Sequence, residues 1–127
     1  MKKSLTLAFL ILMISHMAQA CGGIVIRDKY CLSKGTMNWY SAYLWCQNQG
    51  KQMLAVEEEC AMSSTGHCYK WGLSADEKEY VKSNGGTLAY AWLGTDYSTW
   101  QSYQIDISGS GYVNISQRNA THLALCQ

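Results

Sequence analysis

The 127-residue chain contains no proline, only one phenylalanine (Phe9) and few charged residues, at 15%. The first absence rules out any binding loop whose motif contains a proline. With Phe confined to position 9, every aromatic beyond the first 20 residues is Tyr or Trp, nine and five of them. Such side chains present an apolar body and a polar tip, which suits half-wet contact surfaces. Ten basic residues against nine acidic ones and three histidines leave no basic face of the kind nucleic acids require. No stretch beyond the first 20 residues approaches the roughly 20 consecutive apolar residues of a spanning helix. Repeats, linkers and low-complexity tails are missing as well.

What is present begins with export. Lys2 and Lys3, the apolar run Leu5 to Ile14 and the small residues Ala18-Gln19-Ala20 follow the order of a secretory signal peptide over residues 1–20. Its removal leaves a single domain over residues 21–127, with eight basic and nine acidic residues once Lys2 and Lys3 are gone. Ala-Gln-Ala suits ordinary signal peptidase, whereas cleavage by a lipoprotein peptidase would acylate Cys21 and deprive Cys31 of its nearest partner. The expected address is secreted, periplasmic or cell surface.

All six cysteines, Cys21, Cys31, Cys46, Cys60, Cys68 and Cys126, follow that segment. An even number in a short exported chain implies disulfides, with fifteen possible pairings. Proximity favours Cys21 with Cys31 and Cys60 with Cys68, which leaves Cys46 for Cys126. Paired cysteines leave no thiolate for a Cys-His nucleophile. Cys60, His67, Cys68 and His122 match no standard zinc spacing. Neither a metal nor a cofactor is expected, and the chain does not read as an enzyme.

Trp39, Ala42, Tyr43 and Cys46 recur at the spacing of one helical face, with Thr36 or Asn38 as cap and Gly50 as the left-handed stop. Before this helix, Ile24-Val25-Ile26 reads as a strand or hairpin arm; after it, Gln52 to Val56 is a brief apolar exit. Glu57-Glu58-Glu59 and the stretch from Ala61 to Tyr69 read as solvated loop. Ser74-Ala75-Asp76-Glu77 is a capping box that opens a second helix, with Tyr80 and Val81 inward and Asn84-Gly85-Gly86 as its end. Strands follow over Leu88 to Gly94, around Tyr103, Ile105 and Ile107, over Tyr112 to Ile115 after a turn at Ser108 to Gly111, and over His122 to Cys126. The predicted class is α+β: two helices packed on a small antiparallel sheet, stapled by disulfides.

The spacing Trp39-x-x-Ala42-x-x-x-Cys46-x-x-x-Gly50-x-x-Met53, the run Trp92-Leu93-Gly94-Thr95-Asp96 and the end Ala124-Leu125-Cys126-Gln127 resemble the first helix, the core strand and the closing strand of C-type lectin-like domains. Together with Cys21 and Cys31, which resemble the N-terminal hairpin bridge of longer members, the likeness runs over residues 21–127. It implies a bridge from Cys46 to Cys126. Sugar-binding members hold calcium with Glu-Pro-Asn or Gln-Pro-Asp and Trp-Asn-Asp. The first motif is impossible without proline, and Tyr112-Val113-Asn114 stands near the place of the second with no acid. Asp96 and Asp106 are too few for calcium's six to eight oxygens, and Trp100 to Cys126 is too short for the long calcium loop.

The resemblance therefore implies a compact domain of the bacterial-surface type, binding a protein or glycan without calcium. Its alternatives are a calcium-dependent carbohydrate-binding lectin and a structural subunit of a surface appendage or envelope. Trp39, Trp45 and Trp92 sit in core-type patterns. Trp100, Tyr103, Tyr112, Gln117, Arg118 and Asn119 occupy the late loops and strands where such domains bind, and are the candidate ligand-binding residues. Asn114-Ile115-Ser116 and Asn119-Ala120-Thr121 are sequons that matter only in a eukaryotic secretory route.

Overall fold

The computed structural model describes residues 21–55, 71–109 and 111–127. The expected signal peptide, the expected Cys60 to Cys68 bridge and the expected loop at Glu57 to Glu59 lie outside these residues. Eight elements follow in order: β1 (Ile24–Ile26), β2 (Tyr30–Met37), α1 (Trp39–Asn48), α2 (Ala75–Ser83), β3 (Tyr90–Asp96), β4 (Gln101–Asp106), β5 (Val113–Gln117) and β6 (His122–Cys126). The strands form one six-stranded sheet in the order β1-β2-β6-β3-β4-β5. The domain is thus α+β, as the pattern predicts.

One neighbouring pair departs from the antiparallel expectation. β6 runs parallel to β3, with Ala91 opposite Leu123 and Trp92 opposite Ala124, while the remaining pairs are antiparallel. The chain leaves β5 at the sheet edge, crosses β4 and β3, and enters between β3 and β2, so its last strand takes the direction of β3. A hairpin return beside β5 would have left Cys126 far from α1.

Alternation along each strand separates two cores. Leu123, Leu125, Ala91, Leu93, Ile105 and Leu32 pack with Val81 of α2 and with Trp71 and Leu73 just before it. From the other face, Ala124, Cys126, Trp92 and Cys31 pack with Ala42 and Cys46 of α1. The helices therefore cover opposite faces.

Both helix starts are as the sequence indicates. Asn38 caps α1, its side chain accepting from Ser41 N, and Ser74 and Glu77 complete the capping box of α2. Gly50 closes α1 at φ +70°. The inward faces are narrower than expected: only Ala42 and Cys46 of α1 are buried, and only Val81 of α2. Tyr43 and Tyr80 point outward, exposed by 43% and 49%. A ten-residue helix against small side chains such as Ala124 buries a stripe only two residues wide per two turns, which leaves the flanking tyrosines at its rim.

The eight-residue strand β2 is not apparent from its sequence, because Ser33-Lys34-Gly35 interrupts the apolar pattern. Its pairing with β6 shifts between Leu32 and Thr36. Ser33 fills the interruption with its own hydroxyl, which accepts from Ala124 N at 2.8 Å and donates to Gly35 O at 2.7 Å. At the other end of the sheet, β5 is an exposed edge without a charged residue. Asn114 Oδ1 takes the Ile115 N–H at 2.8 Å, which removes one donor that a foreign strand would use.

The predicted bridges Cys21 to Cys31 and Cys46 to Cys126 are both formed. The second closes a sequence separation of 80 residues. On the chain-entropy estimate it stabilises by about 4 kcal/mol. A Cys46→Ala, Cys126→Ala double variant should lose about that much in guanidinium unfolding, against about 2.5 kcal/mol for the pair Cys21→Ala, Cys31→Ser.

The β1 to β2 turn places Arg27 and Asp28 at φ +54° and +58°, a left-handed region costly for residues other than glycine. Arg27 anchors this turn to α2, with Nε to Glu77 Oε2 at 2.7 Å and Nη2 to Glu77 Oε1 at 3.0 Å, and its guanidinium lies 5.3 Å from the Trp71 ring centroid. Hydrogen bonding from Arg27 pushes the Glu77 carboxyl down to about 2. A folded pKa below the unfolded one contributes stability above the ordinary carboxylate value and loses it as pH falls toward the folded value. Melting between pH 5 and 2 should therefore be less steeply pH-dependent in Glu77→Gln than in the parent.

Candidate functional site

At the end of the sheet where β3 stops and β4 begins, three pieces of chain meet. They are the start of α1, the β3 to β4 turn and the exit from β5. Backbone bonds set them in place: Trp39 N donates to Arg118 O and Arg118 N to Trp100 O, both at 3.0 Å. Arg118 fills the junction. Its Nε donates to Ser102 Oγ at 2.8 Å, Nη1 to Thr99 O at 3.3 Å, and Nη2 pairs with Asp96 Oδ1.

The guanidinium also lies over two rings of α1, 4.3 Å from the Trp39 centroid and 5.8 Å from that of Tyr40. Trp39 in turn stacks on Tyr43, centroids 5.6 Å apart and planes inclined by 19°, and its Nε1 donates to Leu93 O at 3.1 Å. Charge and aromatic surface are thereby fixed before any partner arrives.

Beside this cluster lies a half-open cleft of about 420 Å³ lined by Trp39, Tyr43, Gln47, Gln52, Met53 and Asp96. Its floor exists because β3 and β6 separate beyond Trp92. Leu54 enters the gap, its N–H donating to Leu125 O at 3.0 Å and its carbonyl accepting from Gly94 N at 2.8 Å. Gly94 permits that approach, since a Cβ there would sit 3.2 Å from Met53 Cβ and Met53 O. On the α1 wall, Gln47 Nε2 donates to Tyr43 Oη at 2.9 Å, an i, i+4 pair that holds the ring upright.

Of the six residues singled out in the sequence, the structure gathers four. Trp100, Gln117, Arg118 and Asn119 share this end of the sheet, where Gln101 pairs with Gln117. Trp100, Gln117 and Asn119 are exposed, whereas the Arg118 side chain is only 12% exposed and serves as a bracket rather than a contact. Tyr112 leads into β5 at its opposite end. Tyr103 points to the other face, packing on the α2-side core and edge-on to Tyr97 at 5.9 Å.

The sequence reading missed Tyr43, Gln47, Gln52 and Asp96 as site residues and placed Trp39 in the core. Trp92 is fully buried as expected, but Trp39 and Trp45 are half-buried. One signal was available: α1 contains no charged residue although most of its surface faces water.

Ser116 Oγ and His122 Nε2 lie 3.0 Å apart. The imidazole packs edge-on against Trp92 at 4.5 Å and Tyr90 at 6.1 Å, and burial lowers its pKa. The pair ties β5 to β6.

Replacing Arg118 by Ala removes a nearly buried cation and deprives the buried Ser102 hydroxyl of its donor. A loss of about 2 kcal/mol and a weakened near-ultraviolet signal from Trp39 are expected. Asp96→Asn, whose carboxylate is 67% exposed, should cost under about 1 kcal/mol in the same melts. No protein-family model and no curated protein matches the chain.

Proposed function

We propose that this chain is a secreted or cell-surface binding module of the C-type lectin-like kind, recognising a protein or glycan without calcium. The observation that carries this reading is the preset surface around Arg118. Six hydrogen bonds, an ion pair and two ring contacts hold exposed aromatic side chains and a cleft at one end of a disulfide-stapled sheet. A site so rigid loses little conformational entropy on binding.

The resemblance is supported by the bridge from the α1 cysteine to the last strand and by the N-terminal bridge. Calcium independence is supported by how the two acids of this half are used. Asp96 is engaged by Arg118, and Asp106 accepts from both the backbone and the hydroxyl of Ser108, at 3.1 and 2.8 Å. Export is supported by the disulfides; among the described residues no helix is long and apolar enough to cross a membrane.

The test is binding of the mature, disulfide-bonded protein to glycan arrays and to immobilised surface proteins, with and without chelator. Binding should survive chelator. Trp100, 56% exposed, is the first residue to remove: Trp100→Ala should weaken binding by about tenfold, as loss of an aromatic anchor does, without moving the melting temperature. A stoichiometric calcium heat in calorimetry would overturn the calcium-free reading, and a stable homo-oligomer in size-exclusion chromatography without ligand binding would favour a structural subunit.

A further inference from the structure

We infer that the cleft beside Trp39 receives a basic side chain, arginine or lysine, presented by a protein partner; this rests on the reading of the domain as a binding module. The lining is rich in acceptors and π surface. Asp96 contributes a carboxylate that remains 67% exposed although Oδ1 is held by Arg118. Gln47 and Gln52 contribute amides, and Gln47 spends an N–H on Tyr43, which leaves its carbonyl oxygen without a partner among the described residues. Among the described residues no lysine or arginine lines the cleft. Arg118 lies behind Trp39 with its donors distributed over Ser102, Thr99 and Asp96, so an incoming cation meets the carboxylate before the guanidinium.

The walls suit a cation. Trp39 and Tyr43 form a stacked aromatic pair at the cleft, and rings attract ammonium and guanidinium groups. Elsewhere in this molecule rings already do so: Arg27 lies 5.3 Å from the Trp71 centroid and Lys29 5.1 Å from that of Tyr30. About 420 Å³ holds one long side chain and the backbone that carries it.

The rim indicates that the cation arrives on a protein. Along the outer face of α1, Tyr40 and Leu44 are exposed by 53% and 57%, and the helix has no charge to repel an approaching cation. An exposed leucine beside an aromatic ledge complements apolar side chains flanking the basic one, and offers nothing to the hydroxyls of a sugar. Complementarity is therefore to a peptide surface of mixed apolar and basic character.

The experiment uses the mature, disulfide-bonded protein labelled with nitrogen-15 and three blocked peptides, acetyl-Gly-Arg-Gly-amide, acetyl-Gly-Lys-Gly-amide and the neutral acetyl-Gly-citrulline-Gly-amide. The two basic peptides should shift the Trp39 indole N–H and the Gln47 and Gln52 side-chain amides, saturating in the millimolar range. The citrulline peptide should bind at least about fivefold more weakly, and added salt should weaken the basic ones. Asp96→Asn should abolish the difference between arginine and citrulline, while Asp76→Asn on α2 should leave it unchanged. If Asp96→Asn disturbs the fold, Tyr43→Leu with an unchanged melting temperature serves instead and should reduce the shifts. Equal affinity for the citrulline peptide, or arginine binding undiminished in Asp96→Asn, would overturn the proposal. A glycan that shifts these signals where the basic peptides do not would also overturn it while leaving the binding-module reading intact.

Discussion

The bond between Cys46 and Cys126 joins the last turn of α1 to the last residue of β6, and both cysteines are fully buried. β6 lies inside the sheet, between β2 and β3, so this single linkage fixes α1 against the strand that organises both cores. A domain of this size buries a modest apolar area, and α1 contributes only Ala42 and Cys46 to it. Without the covalent tie, a ten-residue helix with two inward residues has little to hold it on the sheet. With it, the outer face of α1 is free to carry exposed tyrosines and an exposed leucine.

That arrangement also makes the cleft. β6 enters parallel to β3 and stays paired with it for two residues, Ala91 and Trp92, before the strands part and Leu54 bridges them. Met53 pairs with Cys126 in the same place. The chain immediately after the helix is thus drawn into the sheet by the same linkage that holds the helix, and the space left between them is the cleft. Arg118 closes the structure from the other side. Because β5 is the sheet edge and β6 is internal, the connection between them must cross the face on which α1 sits, and Arg118 at its start meets Trp39, Asp96 and Ser102 together. Neither interaction is local, and each depends on the crossover being made.

Much of the local structure was legible because it is written in short-range chemistry. The Ser74 to Glu77 box, Asn38 as cap, Gly50 as stop and the alternation of the later strands each involve groups within a few residues of one another, whose geometry is set by backbone hydrogen bonding alone. β2 was not legible, because Ser33-Lys34-Gly35 looks like a turn until the Ala124 N–H is there to donate to the serine hydroxyl. Tyr43 and Tyr80 were misplaced for a related reason. Helical spacing tells which residues share a face, but the width of the buried stripe depends on the opposing side chains, here as small as Ala124. Trp39 and Trp100 show the two outcomes for a candidate contact residue: exposure in a late turn made Trp100 recognisable, whereas a position shared between core and cleft hid Trp39.

By itself the sequence determined the α+β class, the positions of both helices, the pairing of Cys21 with its near neighbour Cys31 and the exclusively Tyr and Trp character of the aromatics beyond residue 20, since each follows from neighbouring residues or from composition. The tertiary structure decided which of those aromatics meet. A parallel last strand inserted beside β3, rather than a hairpin return beside β5, brings residues 39, 43, 96, 100 and 118 to one end of the sheet. Such convergence is a property of strand order, and strand order is set by the total burial of two opposed cores, not by the pattern of any one segment.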